Sequence, residues 1–165
     1  MRTLLFPLVI MAFVSCNSSP NQSANEQNTA QNSSPSETNA TKTSIQSIPE
    51  KGKALVKDHF AAQMIDHVQK FDMARPSGTL YEVRLADHTE IDLDINGEWI
   101  EIDGHDDRPI PTTFLNPTIL SYLSSNFPNT AVTTVERTAQ GYELELSNDI
   151  DLYFDLQGNF VRQEK

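Results

Sequence analysis

The sequence has a single cysteine, Cys16, so no intramolecular disulfide can form. It also lacks a long apolar run. Its most apolar stretch, residues 4–14, is shorter than the roughly 20 residues that a membrane-spanning helix needs. Positive charge is scarce, because 12 Lys and Arg residues stand against 23 Asp and Glu residues. Phosphate contacts need clustered cations, so this balance argues against binding to nucleic acid and against electrostatic docking on anionic lipid.

The first sixteen residues have the features of a secretory signal. Arg2 supplies a positive charge, residues 4–14 form a short apolar core, and Ser15 precedes Cys16. The ending Phe13-Val14-Ser15-Cys16 resembles a bacterial lipobox, in which the cysteine is acylated and becomes the mature N-terminus. We therefore expect residues 1–16 to be a lipoprotein signal peptide with lipidation at Cys16. The alternative is a plain signal peptide with an incidental cysteine.

Residues 17–47 have no plausible core, since 22 of these 31 residues are Ser, Asn, Gln or Thr. Such a segment buries too little apolar surface to offset its ordering entropy, and we predict a disordered polar tether with a reach of about 30 Å. No acidic cluster follows Cys16. In the Bacteroidetes-like lipoproteins that this N-terminus resembles, such a cluster marks export to the cell surface. We expect a lipid-anchored protein of the cell envelope, on the periplasmic side, that contacts membrane only through its anchor.

The remainder, residues 48–165, repeats itself. Residues 81–99 align without a gap on residues 142–160, so that Tyr81 meets Tyr142 and Gly97 meets Gly158. Self-similarity of this kind indicates duplicated structural units. We predict one domain made of repeat one at 48–103, a connector at 104–114 and repeat two at 115–165.

Each predicted repeat begins with a helix and continues with strands. Asn116 followed by Pro117 is a typical helix start, and Ser47 with Glu50 resembles a capping box at the start of the first helix. Alternating apolar and polar residues then predict four antiparallel strands in each copy. The predicted fold class is α+β: two tandem helix-plus-four-strand repeats form an eight-stranded antiparallel sheet, with the helices packed on one face.

Residues 92–103, Asp-Leu-Asp-Ile-Asn-Gly-Glu-Trp-Ile-Glu-Ile-Asp, match the spacing of an EF-hand calcium loop and also that of a β-hairpin. An EF-hand needs a helix on each side, whereas both flanks here alternate with period two. We therefore predict a type I′ turn at Asn96-Gly97, with Leu93 opposite Ile100, and no metal site or cofactor. Weak calcium binding stays open for one group of carboxylates: Asp92, Asp94, Asp103, Asp106 and Asp107.

The two units, with Tyr-Glu-Val-Arg-Leu at 81–85 and Tyr-Glu-Leu-Glu-Leu at 142–146, each end in a hairpin with Gly and an aromatic residue. They resemble the PepSY-like, β-lactamase-inhibitor-like family. That resemblance implies two helix-plus-four-strand units in a secreted or lipid-anchored protein. The family has no agreed activity, and the resemblance supplies no inhibitory motif that matches residues of this chain.

No arrangement of residues predicts catalysis. His59, His67 and His88 are typical of surface or half-buried positions, and no Ser lies in a nucleophile elbow. The run His105-Asp106-Asp107 lies in a Gly-flanked connector and is predicted to be a solvated linker. We therefore expect a chain that is not an enzyme.

We predict a non-catalytic module that binds a protein, peptide or other ligand, with inhibitor-like action as one form of it. The partner is unknown, and the acidic composition has two readings: solubility in a crowded compartment, or a basic partner steered in by the acidic face. The candidate partner-binding face consists of residues predicted to point away from the core: Trp99, Glu82, Arg84, Glu90, Asp92, Asp94 and Glu101. The alternatives are a calcium-binding lipoprotein and a structural envelope-stress lipoprotein without a specific ligand.

Overall fold

The computed structural model describes residues 39–61 and 63–165, so the predicted signal peptide, Cys16 and most of the predicted tether lie outside the described residues. The described part contains a short 3₁₀ helix at Ile45–Ser47 and two α-helices, α1 at Glu50–His59 and α2 at Pro117–Asn126. The strands are β1 Ala40–Thr43, β2 Ile65–Phe71, β3 Tyr81–Leu85, β4 Glu90–Leu93, β5 Trp99–Asp103, β6 Val132–Arg137, β7 Gly141–Leu146, β8 Ile150–Asp155 and β9 Phe160–Glu164. Neither α-helix has the length and apolar character that crossing a membrane requires.

All nine strands form one antiparallel sheet in chain order, from β1 at one edge to β9 at the other. The middle of the chain does not interrupt this sheet, because β5 pairs directly with β6 and Ile102 lies opposite Val135. The predicted fold class, two tandem helix-plus-four-strand repeats giving an eight-stranded sheet, is therefore wrong. The structure is mostly a single continuous sheet of nine strands, accompanied by two α-helices in the described residues.

Strand β1, the one strand beyond the eight that were predicted, comes from a polar segment that shows no apolar alternation. It pairs with β2, with Ala40 opposite Phe71 and Thr43 opposite Val68. Its residues are mostly exposed, so backbone hydrogen bonds to the sheet edge hold it rather than burial of side chains. Sequence patterns report burial, and for that reason this strand was missed within the segment predicted to be a tether.

The core lies on one face of the sheet. A line of side chains with no exposed surface crosses the strands, and the helices add residues from above. The strand members are Val83, Ile91, Ile102, Val135, Leu144 and Leu152, the helix members are Val56 and Ile119, and Phe60 follows directly after α1. Each such side chain contributes about 1.5–3 kcal/mol relative to an exposed position, so this face dominates the stability.

The two helices begin differently. The side chain of Asn116 accepts a hydrogen bond of 2.8 Å from the backbone N–H of Thr118, and Pro117 takes the first helical position, as predicted. Helix α1 instead begins after Pro49, which provides no side-chain cap, so the predicted capping box is wrong. Pro49 and Gly52 lie against the β4–β5 turn, and this contact sets the position of α1.

The β4–β5 connection is a hairpin, but its turn differs from the predicted one. The N–H of Asp94 bonds the carbonyl of Glu98, and the N–H of Gly97 bonds the carbonyl of Asp94. The loop therefore has three residues, and within it only Gly97 has a positive φ, of 78°. The predicted type I′ turn is wrong, because that turn needs positive φ at both Asn96 and Gly97.

A β-bulge follows this turn and changes the facing of residues. Ile91 lies opposite Ile102 and Asp92 opposite Glu101, but Leu93 lies opposite Trp99. Ile100 is thus the additional residue, and the predicted pairing of Leu93 with Ile100 is wrong. An additional residue re-aims the side chains on either side of it. The bulge places Trp99 with Leu93 on the helix-covered face.

Candidate functional site

On the face of the sheet opposite the helices, a row of carboxylates crosses the strands from β3 to β7, with one member from each strand. Glu82 lies opposite Asp92, Asp92 opposite Glu101, Glu101 opposite Glu136 and Glu136 opposite Glu143. We call these five residues the acidic row. Like charges directly opposite one another destabilise a sheet. The acidic row is therefore a place where this fold is less stable than neutral side chains would make it.

The loop at residues 72–80 covers one end of the acidic row. The hydroxyl of Thr79 donates a 2.9 Å hydrogen bond to Oδ2 of Asp92, and Nη1 of Arg75 lies 3.7 Å from the carboxylate of Glu82. Glu82 is only 6% exposed. Burial raises the pKa of the Asp92 carboxyl, and the charge of Glu82 adds to this shift. This end is closed to a large partner.

The middle of the acidic row is more open. Glu136 is exposed, while Glu101 and Glu143 are half-buried. Burial raises the pKa of Glu101, and the negative charges of Asp92, Glu136 and Asp103 raise it further. No cation of the described residues forms an ion pair with Glu101 or Glu136. These two carboxylates are therefore free to meet an external positive charge.

The other end of the acidic row meets an aromatic side chain. The hydroxyl of Tyr153 donates to Oε1 of Glu143 at 3.0 Å, and the guanidinium of Arg162 lies 3.5 Å from the centre of the Tyr153 ring. Arg162 also pairs with Glu164. Its positive charge is thus shared between a ring and a carboxylate at the β9 edge, and it leaves Glu136 unneutralised.

A second line of residues runs beside the acidic row and adds negative charge. Arg84 pairs with Glu90, and Glu90 lies opposite Asp103. Glu145 lies opposite Asp151 on β7 and β8. Within this second line, Arg84 is the cation that neutralises a neighbour. The outer face as a whole is therefore an acidic surface at its centre, with basic residues towards its margins.

The structure brings together five of the residues predicted for the partner-binding face: Glu82, Arg84, Glu90, Asp92 and Glu101. Asp94 belongs to the turn instead. Its Oδ1 accepts hydrogen bonds from the backbone N–H of Asn96 at 2.8 Å and of Glu98 at 2.9 Å. That carboxylate fixes the hairpin. Cys16, predicted to carry a lipid, lies outside the described residues.

Trp99 lies on the opposite face from the acidic row, among other aromatic side chains. Its ring centre is 5.5 Å from that of Phe114 and 5.9 Å from that of Tyr142. The guanidinium carbon of Arg137 lies 5.7 Å from the Trp99 ring centre. Trp99 is half-buried, so it borders a different surface from the one predicted for it.

Sequence reasoning missed Glu136 and Glu143 as members of this surface. The alternation around the buried Val135 and Leu144 was the available signal, because both glutamates are next to a core residue on the same strand. What the pattern did not contain is the pairing of β5 with β6, which places Glu136 directly opposite Glu101.

The described residues bring no three His, Cys, Asp or Glu side chains into a group suited to a metal ion. The histidines have local partners. Nδ1 of His59 is 2.7 Å from the Thr113 hydroxyl, and Nδ1 of His67 is 2.7 Å from Oδ2 of Asp66. The connector residues His105 and Asp106 are exposed. The strongest feature of the surface is therefore its charge.

This chain is a mainly β protein, in which helices cover one face of a single antiparallel sheet and the other face is acidic. Its sequence matches the profile of the family described as "Putative beta-lactamase-inhibitor-like, PepSY-like" over residues 79–162. The chain belongs to this family, as its residues predicted, and the family's description names no enzymatic activity. Among curated proteins no match is significant.

Three solved structures from Bacteroides are similar to this chain. A "putative periplasmic protein of unknown function" from Bacteroides vulgatus is 27% identical, with a TM-score of 0.66, and the match covers 77% of this chain and 100% of that one. A "putative calcium-regulated periplasmic protein" from Bacteroides thetaiotaomicron is 24% identical, with a TM-score of 0.66, over 76% of this chain and 97% of that one. A second "putative periplasmic protein" from Bacteroides vulgatus is 20% identical, with the same TM-score, and covers the same shares. The relative at 27% identity supports a periplasmic location.

Proposed function

We propose that this chain is a non-catalytic binding module of the cell envelope that holds a cationic protein segment against the outer face of its sheet. The observation that carries the proposal is the cross-strand facing of Asp92, Glu101, Glu136 and Glu143. Cations of a partner placed between these carboxylates relieve their mutual repulsion. Binding therefore gains free energy from contacts that cost stability in the free protein.

The shape of the surface favours an extended partner segment. The acidic row runs across the strands from β3 to β7, and the spacing between neighbouring strands is about 4.8 Å. Lys or Arg side chains spaced along an extended segment can follow such a row. The covered end at the loop 72–80 and the Arg162 side of β9 limit the segment to the middle strands. Inhibitor-like action on a basic partner enzyme is one form of this binding.

Calcium is not favoured as the ligand of the hairpin at residues 92–103. The Asp94 carboxylate accepts hydrogen bonds from two backbone N–H groups of the turn, and the Asp92 carboxylate accepts one from the hydroxyl of Thr79. Calcium would have to displace these donors to use the same oxygens. The calcium regulation named for the Bacteroides thetaiotaomicron structure is a property of that protein, whose identity to this chain, 24%, supports the fold alone.

The proposal includes a lipid anchor at Cys16 that holds the module on the periplasmic side of a membrane. Its support is the lipobox-like Phe13-Val14-Ser15-Cys16 and the polar segment behind it. To test this, the full chain and the Cys16→Ser variant are expressed in a bacterium that is fed with a clickable fatty acid. We expect lipid label and membrane fractionation for the native chain and loss of both for the variant. Label on Cys16→Ser would contradict the anchor.

The binding proposal is tested with a short peptide of alternating Lys and Ser, titrated by calorimetry into the protein at low and moderate salt. We expect saturable binding that weakens as salt screens the charges. Glu136→Gln should weaken it by roughly 1.4- to five-fold, since an exposed ion pair is worth about 0.2–1 kcal/mol. Glu50→Gln, at the exposed start of α1, is the matched control because it removes the same charge from elsewhere.

Two results would count against the acidic surface. One is equal weakening by Glu136→Gln and Glu50→Gln, which would mean that only net charge matters. The other is binding that does not change with salt. A neutral peptide of alternating Gln and Ser serves as the negative probe, and it should not bind at the same concentrations.

A further inference from the structure

An open cavity of about 440 Å³ lies on the helix side of the structure, away from the acidic row. Helix α1 forms one wall, the β4–β5 turn forms another, and Phe114, which precedes α2, closes a third. The residues that matter for its chemistry are Leu55, Asp58, Trp99 and Phe114. Trp99 and Phe114 both line the cavity, and their rings meet edge to face with centres 5.5 Å apart.

The other helix shows what fills the corresponding place. Tyr122 is the sixth residue of α2, and its ring stacks on Phe160, the first residue of β9, at 4.5 Å and an interplanar angle of 10°. Leu55 is likewise the sixth residue of α1, and Trp99 is the first residue of β5. At this end of the molecule a leucine stands where the ring would be, and a cavity lies beside Trp99.

The mouth of the cavity also has an uncompensated charge. Lys51 pairs with Glu98 across the mouth, and His59 contacts the hydroxyl of Thr113. Asp58 is exposed at the same mouth, and within the described residues it makes neither an ion pair nor a side-chain hydrogen bond. A ligand with a positive charge next to its ring would be complementary to this carboxylate.

We propose that this cavity binds a planar aromatic side chain of a peptide ligand, stacked beside Trp99 as Tyr122 stacks on Phe160, with a neighbouring Lys or Arg of the ligand facing Asp58. The inference does not depend on the acidic row, which lies on the other face of the sheet. Aromatic stacking gives the ring preference and charge complementarity gives the neighbouring cation.

Trp99 is the only tryptophan of the chain, so its fluorescence reports directly on this cavity. The probes are two acetylated and amidated tripeptides, Lys-Phe-Lys and Lys-Leu-Lys, which differ only in the central side chain. We expect Lys-Phe-Lys to change the Trp99 emission saturably, at roughly five-fold lower concentration than Lys-Leu-Lys. Equal responses to both peptides, or no response to either, would overturn the proposal.

Leu55→Tyr supplies the missing ring from the protein itself. We expect this variant to melt at or above the temperature of the native chain and to bind Lys-Phe-Lys at least about ten-fold more weakly. Leu55→Met, a change of similar volume, is the matched control and should keep binding. Unchanged binding to a folded Leu55→Tyr variant would refute the location.

Asp58→Asn covers the case in which Leu55→Tyr does not fold, because Asp58 is exposed. This variant should weaken both tripeptides by a similar factor and keep the preference for phenylalanine. Unchanged affinity for both would refute the role of Asp58. Glu136→Gln should leave the Trp99 response unchanged, so failure of the acidic surface and failure of the cavity are distinguished.

Discussion

Replacing Glu101 with glutamine should make this protein more stable at neutral pH, although the change removes a charged surface residue. Glu101 lies between Asp92 on β4 and Glu136 on β6, with Asp103 on its own strand. Each directly opposed pair of like charges costs about 0.2–1 kcal/mol. Glu101→Gln removes two such pairs and keeps the shape of the side chain. We expect a gain in the free energy of unfolding of about 0.5–2 kcal/mol.

The gain should depend on pH in a defined direction. The folded-state pKa of Glu101 is raised, first by burial and then by the neighbouring carboxylates. A carboxyl with a raised pKa binds more protons in the folded state, so the native chain gains stability as pH falls through that raised pKa towards the ordinary value. Below the ordinary pKa of a glutamate, Glu101 is protonated in both states. The advantage of Glu101→Gln should therefore be largest near pH 7 and small at about pH 3.

The assay is urea unfolding of the native chain and the variant across this pH range, with Glu50→Gln as the control. In a thermal melt, the same stabilisation would raise the Tm of a domain of this size by roughly 3–6 °C per kcal/mol. Glu50 lies at the exposed start of α1, paired with Lys53, and its replacement should give no gain. Loss of stability in Glu101→Gln at pH 7, or a gain of equal size at pH 3, would refute the electrostatic account of the acidic row.

Two further substitutions test the packing that positions the sheet against its helices. A Cβ on Gly52 would lie 2.6 Å from Cδ1 of Leu93. Gly52→Ala should therefore destabilise the protein by about 1–3 kcal/mol in urea unfolding, despite the better helix propensity of alanine. Higher stability of this variant would show that the contact relaxes freely. The side chain of Asn116 accepts from the N–H of Thr118 and donates to the carbonyl of Gln157 at 3.0 Å. Asn116→Ala should therefore cost about 1 kcal/mol or more in the same assay, while Asn116→Asp should recover the cap but not the bond to Gln157.

Local chemistry made the start of α2 predictable. Asn116-Pro117 specifies a helix start without any tertiary information, and the structure shows that cap. The start of α1 was not predictable in this way. The β4–β5 turn packs at Gly52 and Pro49, so a contact distant in sequence decides where α1 begins, and Ser47 has no capping role.

The face of the sheet on which a side chain lies was predictable only as far as the strand continues without a bulge. Ile91 and Ile102 are opposite each other as the alternation requires. The hydrogen bonds that Asp94 accepts in the turn lengthen the loop to three residues, and the bulge at Ile100 then moves Trp99 to the helix-covered face. A single additional residue exchanges the two faces of a strand, so Trp99 could not be placed from its spacing.

The edge strand β1 and the acidic row were hidden for a related reason. Strand β1 exists because β2 offers an unpaired edge, and nothing in Ala-Thr-Lys-Thr requires it. The carboxylates of Glu101 and Glu136 come together because β5 pairs with β6 across a connection of 28 residues, from 104 to 131. Sequence patterns show which residues face outward, but only the pairing of distant strands shows which outward residues are neighbours.

The two faces of this sheet follow different physical rules, and the contrast is itself an argument about function. On the helix side, local alternation, burial and packing agree, and the side chains of Ile91, Ile102 and Leu144 are fully buried. On the outer side, carboxylates are opposed on successive strands, against the preference of a sheet for opposite charges. A net negative charge favours solubility, but solubility does not need that charge to be aligned strand after strand, because scattered acids serve equally well. Conflict between local stability and residue choice is concentrated where proteins bind other molecules. The acidic row is such a conflict, and the cationic partner that we propose would relieve it.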